Sequence, residues 1–196
     1  IADKERSITL EAVKDGLKIY DNPVGVLTNN PTFDFQLFNL NNYINLSSEQ
    51  PQNTFGGKMH PLELDLYSNG IGALGLPGDA SSMSRFVKAS FVKLNSVSGT
   101  SEAESISQFF HILKAVEMQN GIVHMGNDLY EKTIYSSCCN VDKGIYYYTT
   151  YENSQICAVD MHKVDLNGSK LVSYPLDKEM KINFKNWYNL HKALQM

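Results

Sequence analysis

The sequence has few charged residues and no cluster of basic ones. Only 19% of its 196 residues are charged, and 21 Asp and Glu outnumber 17 Lys and Arg, for a formal net charge of −4. Binding to a nucleic acid backbone requires a concentrated positive surface, which this chain lacks. We therefore expect no nucleic acid partner.

Long hydrophobic runs are also missing. No stretch approaches the roughly 20 apolar residues that a membrane span needs, and the start does not resemble a secretion signal. These patterns predict a soluble cytoplasmic protein with no membrane partner. The chain opens with Ile1 instead of Met, so we expect further residues upstream.

Cysteine and metal-binding patterns are sparse. The three cysteines, Cys138, Cys139 and Cys157, are too few and too close together for a disulfide framework, which favours a reducing compartment. The adjacent pair should point to opposite faces of a strand, and nothing nearby would lower a thiol pKa, so we interpret both as structural residues. The five histidines show no metal-ligand spacing, and we expect neither a metal nor another cofactor.

The N-terminal part predicts strands followed by helices. Ser7 to Val13 alternates apolar and polar residues, and Leu17 and Ile19 continue this pattern after Asp15-Gly16, which predicts a hairpin with a type I′ turn. A third short strand is predicted over Val24–Thr28. Thr32 should then cap a helix whose buried face is formed by Phe33, Leu37, Leu40 and Ile44.

The rest of the chain predicts a loop, two helices and a sheet, hence an α+β fold. A long loop is expected over 47–82, and a helix over 81–95 with Val87, Phe91 and Leu94 on its buried face. The capping box Ser101-x-x-Glu104 begins a second helix with an apolar stripe of Ile106, Phe109, Phe110, Leu113 and Val116. Three antiparallel strands follow, over 133–139, 144–150 and 154–160. The last twenty residues are predicted to form a helix or a docked tail.

Gly70-Ile-Gly72-Ala-Leu-Gly75 matches the letters of a dinucleotide-binding fingerprint. That motif needs a preceding strand and a following helix, whereas Leu76-Pro77-Gly78-Asp79 continues the loop. We interpret these glycines as residues that let a loop turn tightly and pack closely.

Three further segments carry a family resemblance. They are Asp21-Asn-Pro-Val-Gly-Val-Leu-Thr-Asn-Asn-Pro-Thr-Phe-Asp34, then Gly75-Leu-Pro-Gly-Asp79 leading to Ser84-Arg-Phe86, then Gly144-Ile-Tyr-Tyr-Tyr-Thr-Thr-Tyr-Glu-Asn153. Together they resemble the choloylglycine hydrolase family, which contains bile salt hydrolases and penicillin V acylases. The first segment is more similar to the bile salt hydrolases.

The resemblance implies an N-terminal nucleophile hydrolase with an α-β-β-α sandwich, of which residues 1–196 would be the C-terminal part of a single domain. In such enzymes an N-terminal cysteine attacks the amide of a glycine- or taurine-conjugated bile acid, its own α-amino group acts as base, and water hydrolyses the thioester. Asn29 matches the family's oxyanion donor, and Arg85 matches the arginine beside the nucleophilic sulfur. Family likeness also implies a homotetramer.

The matching cysteine would lie upstream of Ile1, so we expect the 196 residues alone to be inactive toward conjugated bile acids. Two alternatives remain open. One is a penicillin V acylase, which would share the chemistry and differ in its acyl pocket. The other is a non-catalytic steroid- or lipid-binding module that keeps the fold.

Overall fold

The computed structural model describes residues 1–59 and 62–185. The chain forms two compact units, Ile1–Lys132 and Thr133–Met196. The described part contains both helices and antiparallel strands, which confirms the α+β class. The predicted C-terminal helix or tail lies largely outside the described residues.

The first unit begins with the predicted hairpin. Strands β1 (Ile8–Val13) and β2 (Gly16–Asp21) pair antiparallel, with Val13 opposite Gly16. The prediction of a type I′ turn at Asp15-Gly16 is wrong. That turn needs a positive φ at both central residues, and of these two only Gly16 has one, at 116°. The turn falls instead on Lys14 and Asp15, one residue earlier.

The segment after β2 is not the predicted strand. Val24–Thr28 is irregular, because side chains satisfy its backbone groups in place of a strand partner. The amide of Asn22 accepts from the Gly25 N–H at 2.7 Å and donates to the Val26 carbonyl at 2.9 Å. Nζ of Lys93 donates to the Val24 carbonyl at 2.6 Å.

Helix α1 (Phe33–Asn39) continues into a 3₁₀ turn, Leu40–Tyr43. Thr32 occupies the N-cap position, but its side chain makes no capping bond, and the Phe33 N–H donates to the carboxylate of Glu11 on β1 instead. The predicted stripe fails at Ile44, which is 84% exposed. The tighter 3₁₀ turn changes the angular spacing of the side chains and takes Ile44 off the buried face.

The long loop is confirmed, with one short 3₁₀ turn at Ile71–Ala73. Among the described residues of this loop, no strand leads into the glycine motif. Gly72 instead serves close packing, since its carbonyl accepts from the Ser47 N–H at 2.9 Å. A Cβ on Gly72 would overlap the carbonyl oxygens of Ser47 and Glu49. The sequence interpretation of Gly72 is therefore confirmed.

Both longer helices form where they were predicted. Helix α2 (Ser82–Asn95) is capped by Ser81, and helix α3 (Glu102–Lys114) begins with the predicted capping box. The buried faces differ from the expectation. On α2, Leu94 is exposed, and the buried residues are Phe86, Val87, Ala89 and Ser90. On α3, only Phe110 is fully buried, and Phe109 is 42% exposed.

The core of the first unit joins β2, α1 and α2. Phe33 and Phe86 are fully buried and meet edge to face, with ring centroids 6.1 Å apart. Tyr20 packs on Phe33 at 5.6 Å, and Val24 completes the buried cluster. This cluster fixes α1 and α2 relative to β2 and to the irregular segment that follows it.

A second hairpin in this unit was not predicted. Strands β3 (His124–Gly126) and β4 (Leu129–Tyr130) flank Asn127 and Asp128, whose φ values are 50° and 56°. Two consecutive positive φ angles are typical of a type I′ turn, which Asn and Asp tolerate.

The second unit contains the three predicted antiparallel strands. Strands β5 (Tyr135–Asn140), β6 (Ile145–Thr150) and β7 (Cys157–Asp160) form one sheet in the order β5-β6-β7. Cys138 pairs with Tyr147, and Cys139 pairs with Tyr146. The adjacent cysteines therefore lie on opposite faces, as predicted.

Candidate functional site

The two candidate residues meet directly. Nη2 of Arg85 donates a hydrogen bond of 2.7 Å to Oδ1 of Asn29. Asn29 is exposed, and Arg85 is half-buried. The fold thus brings together two side chains that the sequence singled out separately.

This bond determines which way the Asn29 amide faces. A guanidinium can only donate, so the amide oxygen must face Arg85 and the amino group must face away from it. No described residue accepts a hydrogen bond from Nδ2 of Asn29. The amino group is therefore free to donate to an external oxygen atom.

Arg85 is held by neutral acceptors at the start of α2. Besides Asn29, the Ala80 carbonyl accepts from Nε of Arg85 at 3.1 Å. A cation at a helix N-terminus opposes the helix dipole, and these two bonds provide the compensating contacts. Phe86, the next residue, is fully buried in the core and anchors this turn of the helix.

The loop before α2 is shaped by Asp79. Its carboxylate accepts from the Ser81 N–H at 2.9 Å and from the hydroxyl of Ser84. Hydrogen bonds from Ser81 and Ser84 lower the pKa of Asp79 from 3.8 to about 2. The negative charge also lies beside the helix N-terminus, where the dipole favours it. Asp79 thus organises the turn that carries Ala80 and leads to Arg85.

The residues on both sides of Asn29 are hydrogen-bonded to Ser82, the first residue of α2. The hydroxyl of Thr28 donates to the Ser82 carbonyl at 3.0 Å, and the Asn30 N–H donates to Oγ of Ser82 at 3.1 Å. The peptide bond between Asn30 and Pro31 is cis. Ser82 therefore holds the residues that flank Asn29, and Arg85 holds the Asn29 side chain.

A small cavity opens beside Arg85. It has a volume of about 160 Å³, and its charged lining consists of Asp79, Arg85, Lys88, Lys114 and Glu117. Pockets for drug-sized ligands are usually about 300–1,000 Å³. The cavity is thus too small for a whole steroid and large enough for a small polar group.

All three cysteines belong to the second unit, and the surroundings of Cys138 disfavour its thiolate. Burial raises the pKa of the Cys138 thiol, and the neighbouring Cys139 raises it further. A raised pKa reduces the thiolate fraction, which is the nucleophilic form.

Among the residues that the structure describes, no three His, Cys, Asp or Glu side chains are grouped to hold a metal ion. Within 1–59 and 62–185, no helix has the length and apolar character that crossing a bilayer demands.

The fold matches solved amidohydrolases. A crystal structure of conjugated bile acid hydrolase from Clostridium perfringens superposes with a TM-score of 0.80 at 39% identity, covering 92% of this chain and 54% of that one. Penicillin V acylase from Agrobacterium tumefaciens gives a TM-score of 0.59 at 24% identity, over 82% of this chain and 44% of that one. The chain therefore has the fold of the N-terminal nucleophile hydrolases, as predicted.

Sequence comparison specifies the family. The bile salt hydrolase/transferase of Lactiplantibacillus plantarum is 61% identical over 179 residues, which are 91% of this chain and 54% of the relative. The Clostridium perfringens enzyme of the same name is 39% identical over 182 residues. The family model of linear amide C–N hydrolases, choloylglycine hydrolase family, matches residues 1–174. The chain belongs to this family, and it spans about half the length of the curated relatives it matches.

Two residues that are hydrogen-bonded to the neighbours of Asn29 were missed from the sequence. Gln36 is buried on α1 between Phe33 and Asn39, and Ser82 begins α2. Gln36 does leave a trace in the sequence, since a glutamine one turn after Phe33 lies on the predicted apolar face. Ser82 gives no comparable signal.

Proposed function

We propose that this chain is part of a bile salt hydrolase that cleaves the amide bond of glycine- or taurine-conjugated bile acids in the cytoplasm. In this proposal Asn29 donates to the oxyanion and Arg85 favours the thiolate of the nucleophile. The observation that carries it is the bond from Arg85 to Oδ1 of Asn29, which leaves the amino group of Asn29 free to donate.

The reaction proceeds in two steps in this proposal. The thiolate of an upstream N-terminal cysteine attacks the amide carbonyl carbon, and the negative charge on the carbonyl oxygen is stabilised by Nδ2 of Asn29. The α-amino group, which took the proton of the thiol, donates that proton to the amide nitrogen as the C–N bond breaks, so glycine or taurine leaves as an amine. Water then attacks the thioester, releases the bile acid and restores the thiol.

Sequence identity favours bile salts over penicillin V as the substrate. The relatives named for bile salts reach 61% identity, whereas the penicillin V acylase reaches 24%. We therefore expect hydrolysis of taurocholate or glycocholate to exceed hydrolysis of penicillin V when the two are compared side by side.

A chimera provides the test. The matched segment of the L. plantarum relative is replaced by this chain, and release of taurine or glycine is measured. We expect the chimera to hydrolyse conjugated bile acids and the 196-residue chain alone to be inactive. Turnover by the chain alone would contradict the upstream nucleophile, and a folded but inactive chimera would favour the binding-module alternative.

The chain's own cysteines offer a matched control. In the chimera, the combined substitutions Cys138→Ala, Cys139→Ala and Cys157→Ala should retain activity, whereas replacing the upstream cysteine should abolish it. Loss of activity in the triple variant, with its unfolding temperature unchanged, would assign the nucleophile to this chain.

The oligomeric state belongs to the same proposal. The long loop over 47–82 exposes many apolar side chains, among them Phe55, Met59, Tyr67 and Leu74, and large exposed apolar patches are typical of interfaces. We expect the chimera to elute as a tetramer in size-exclusion chromatography with light scattering. A monomer of full activity would contradict this part of the proposal.

A further inference from the structure

Gln36 is the most deeply buried polar side chain near Asn29. It lies on α1, one turn after the core residue Phe33, and is 1% exposed. Glutamine is rarely buried without a hydrogen-bonding role. Its partners therefore indicate what it does.

The amide of Gln36 is bonded to the residues on both sides of Asn29. Nε2 donates to Oγ1 of Thr28 and to the Asn30 carbonyl, both at 3.2 Å. A backbone carbonyl can only accept, so the amino group of Gln36 must be the end that faces this turn. The two hydrogens of Nε2 thus hold the Thr28 side chain and the Asn30 backbone, on either side of Asn29.

These bonds continue into α2. The hydroxyl of Thr28 accepts from Gln36 and donates to the Ser82 carbonyl at 3.0 Å. Gln36 therefore links α1 to α2 through the residue before Asn29, while Arg85 holds the Asn29 side chain. The turn is fixed from one side by α1 and from the other by α2.

The other end of the same amide is unsatisfied. Oε1 of Gln36 is buried and has no hydrogen-bond partner in the described part of the chain. An unpaired buried acceptor lowers stability, and an apolar side chain of the same shape would avoid that loss. The presence of a glutamine here therefore depends on its two donated hydrogen bonds to Thr28 and Asn30.

We propose that Gln36 is a positioning residue that holds the Thr28 side chain and the Asn30 carbonyl so that Nδ2 of Asn29 points at the oxyanion. This inference rests on the proposed function. Gln36 does not touch the substrate in this account and acts only through Asn29.

Gln36→Met in the chimera tests the proposal, because methionine keeps the length of the side chain and removes both hydrogen bonds. Misplacement of a catalytic group by about 1 Å can lower a rate by about 10²-fold. We expect kcat to fall by about 10- to 100-fold, with KM for taurocholate within about twofold of the parent. Loss of the two hydrogen bonds lowers stability and removal of the unpaired Oε1 raises it, so we expect a small net change in the unfolding temperature.

Asn39→Leu is the matched control. Asn39 is a second buried amide on α1, its Nδ2 also lacks a partner among the described residues, and it has no bond to the Asn29 turn. We expect the control to keep the kcat of the parent. An unchanged kcat in Gln36→Met, or an equal fall in both variants, would overturn the proposal.

A double-mutant cycle with Asn29→Ala tests whether Gln36 acts through Asn29. If it does, Gln36→Met should lower kcat little further in the Asn29→Ala background. Additive losses would overturn the proposal. If instead Asn29→Ala alone leaves kcat unchanged, the proposed function itself fails, which separates the two outcomes.

Discussion

Arg85 and Asn29 are 56 positions apart in the sequence and joined by one hydrogen bond of 2.7 Å between Nη2 and Oδ1. The bond uses the accepting end of the Asn29 amide and leaves the donating end available. The predictions for these two residues below are made for the chimera defined above.

Asn29→Asp tests donation by the amide. Aspartate has nearly the same shape as asparagine, but its carboxylate can only accept a hydrogen bond, so it cannot stabilise an oxyanion. We expect kcat for taurocholate to fall by about 10² to 10³-fold in both Asn29→Asp and Asn29→Ala. The control is Asn41→Ala, which changes another exposed asparagine and should keep the parent rate. Full activity in Asn29→Asp would exclude a donor role.

Arg85→Gln and Arg85→Lys distinguish the effect of the positive charge of Arg85 from the effect of its hydrogen bonds to Ala80 and Asn29. A positive charge near the thiol favours the thiolate, so its removal should raise the thiol pKa by about 1 to 3 units. The acidic limb of the kcat/KM profile of Arg85→Gln should therefore move to higher pH. Arg85→Lys keeps the charge and cannot reproduce the bonds to both Ala80 and Asn29, so we expect a lower kcat with the acidic limb in place. Identical pH profiles for Arg85→Gln and the parent would contradict the electrostatic role.

Asp79→Asn tests the hydrogen bonds at the start of α2. Hydrogen bonds from Ser81 and Ser84 lower the pKa of Asp79 from 3.8 to about 2, so its ionised form stabilises the fold above pH 4 and this contribution is lost as the pH falls toward 2. We expect Asp79→Asn to unfold at a lower temperature than the parent at pH 7, and the gap to narrow from pH 4 downward. Asp142→Asn in the exposed β5–β6 turn removes the same charge elsewhere. If Asp142→Asn lowers the unfolding temperature by the same amount with the same pH dependence, the effect would be due to net charge.

Gly72→Ala tests close packing in the long loop. A Cβ at this position would overlap backbone oxygens of Glu49 and Ser47, the latter at 2.6 Å, and backbone cannot move aside as a flexible side chain can. Overpacking of this kind costs about 1–3 kcal/mol. Gly78→Ala is the matched control because nothing lies within 4 Å of its added Cβ. We expect urea unfolding to show a free energy of unfolding lowered by this amount in Gly72→Ala. In Gly78→Ala it should change by no more than about 0.5 kcal/mol.

Local patterns predicted the elements well, because their signals lie within a few residues. The capping box at Ser101 and Glu104 and the sheet of β5 to β7 formed as predicted. The predictions were wrong where a residue distant in the sequence makes the hydrogen bond that was expected of a neighbouring residue. Glu11 on β1, for example, takes the capping role expected of Thr32, and no local pattern could reveal a donor and acceptor 22 residues apart.

The candidate site was reached by family resemblance. Neither composition nor periodicity distinguishes Asn29 from the other asparagines, or indicates that it meets Arg85. The supporting contacts of Gln36 and Ser82 depend on how α1 and α2 pack through Phe33 and Phe86. Such tertiary relationships become visible only when the chain is folded.

Lys93, in the last turn of α2, donates to the Val24 carbonyl, while Ser82 and Arg85 in its first turn hold residues 28–30. One helix therefore grips an irregular segment at both ends, about 16 Å apart along its axis. Residues 24–30 have no regular secondary structure of their own, and helix α2 fixes their path because it is hydrogen-bonded to both ends of the segment. A substitution that bends or shortens helix α2 would therefore shift Asn29 even if the substituted residue lies far from Asn29.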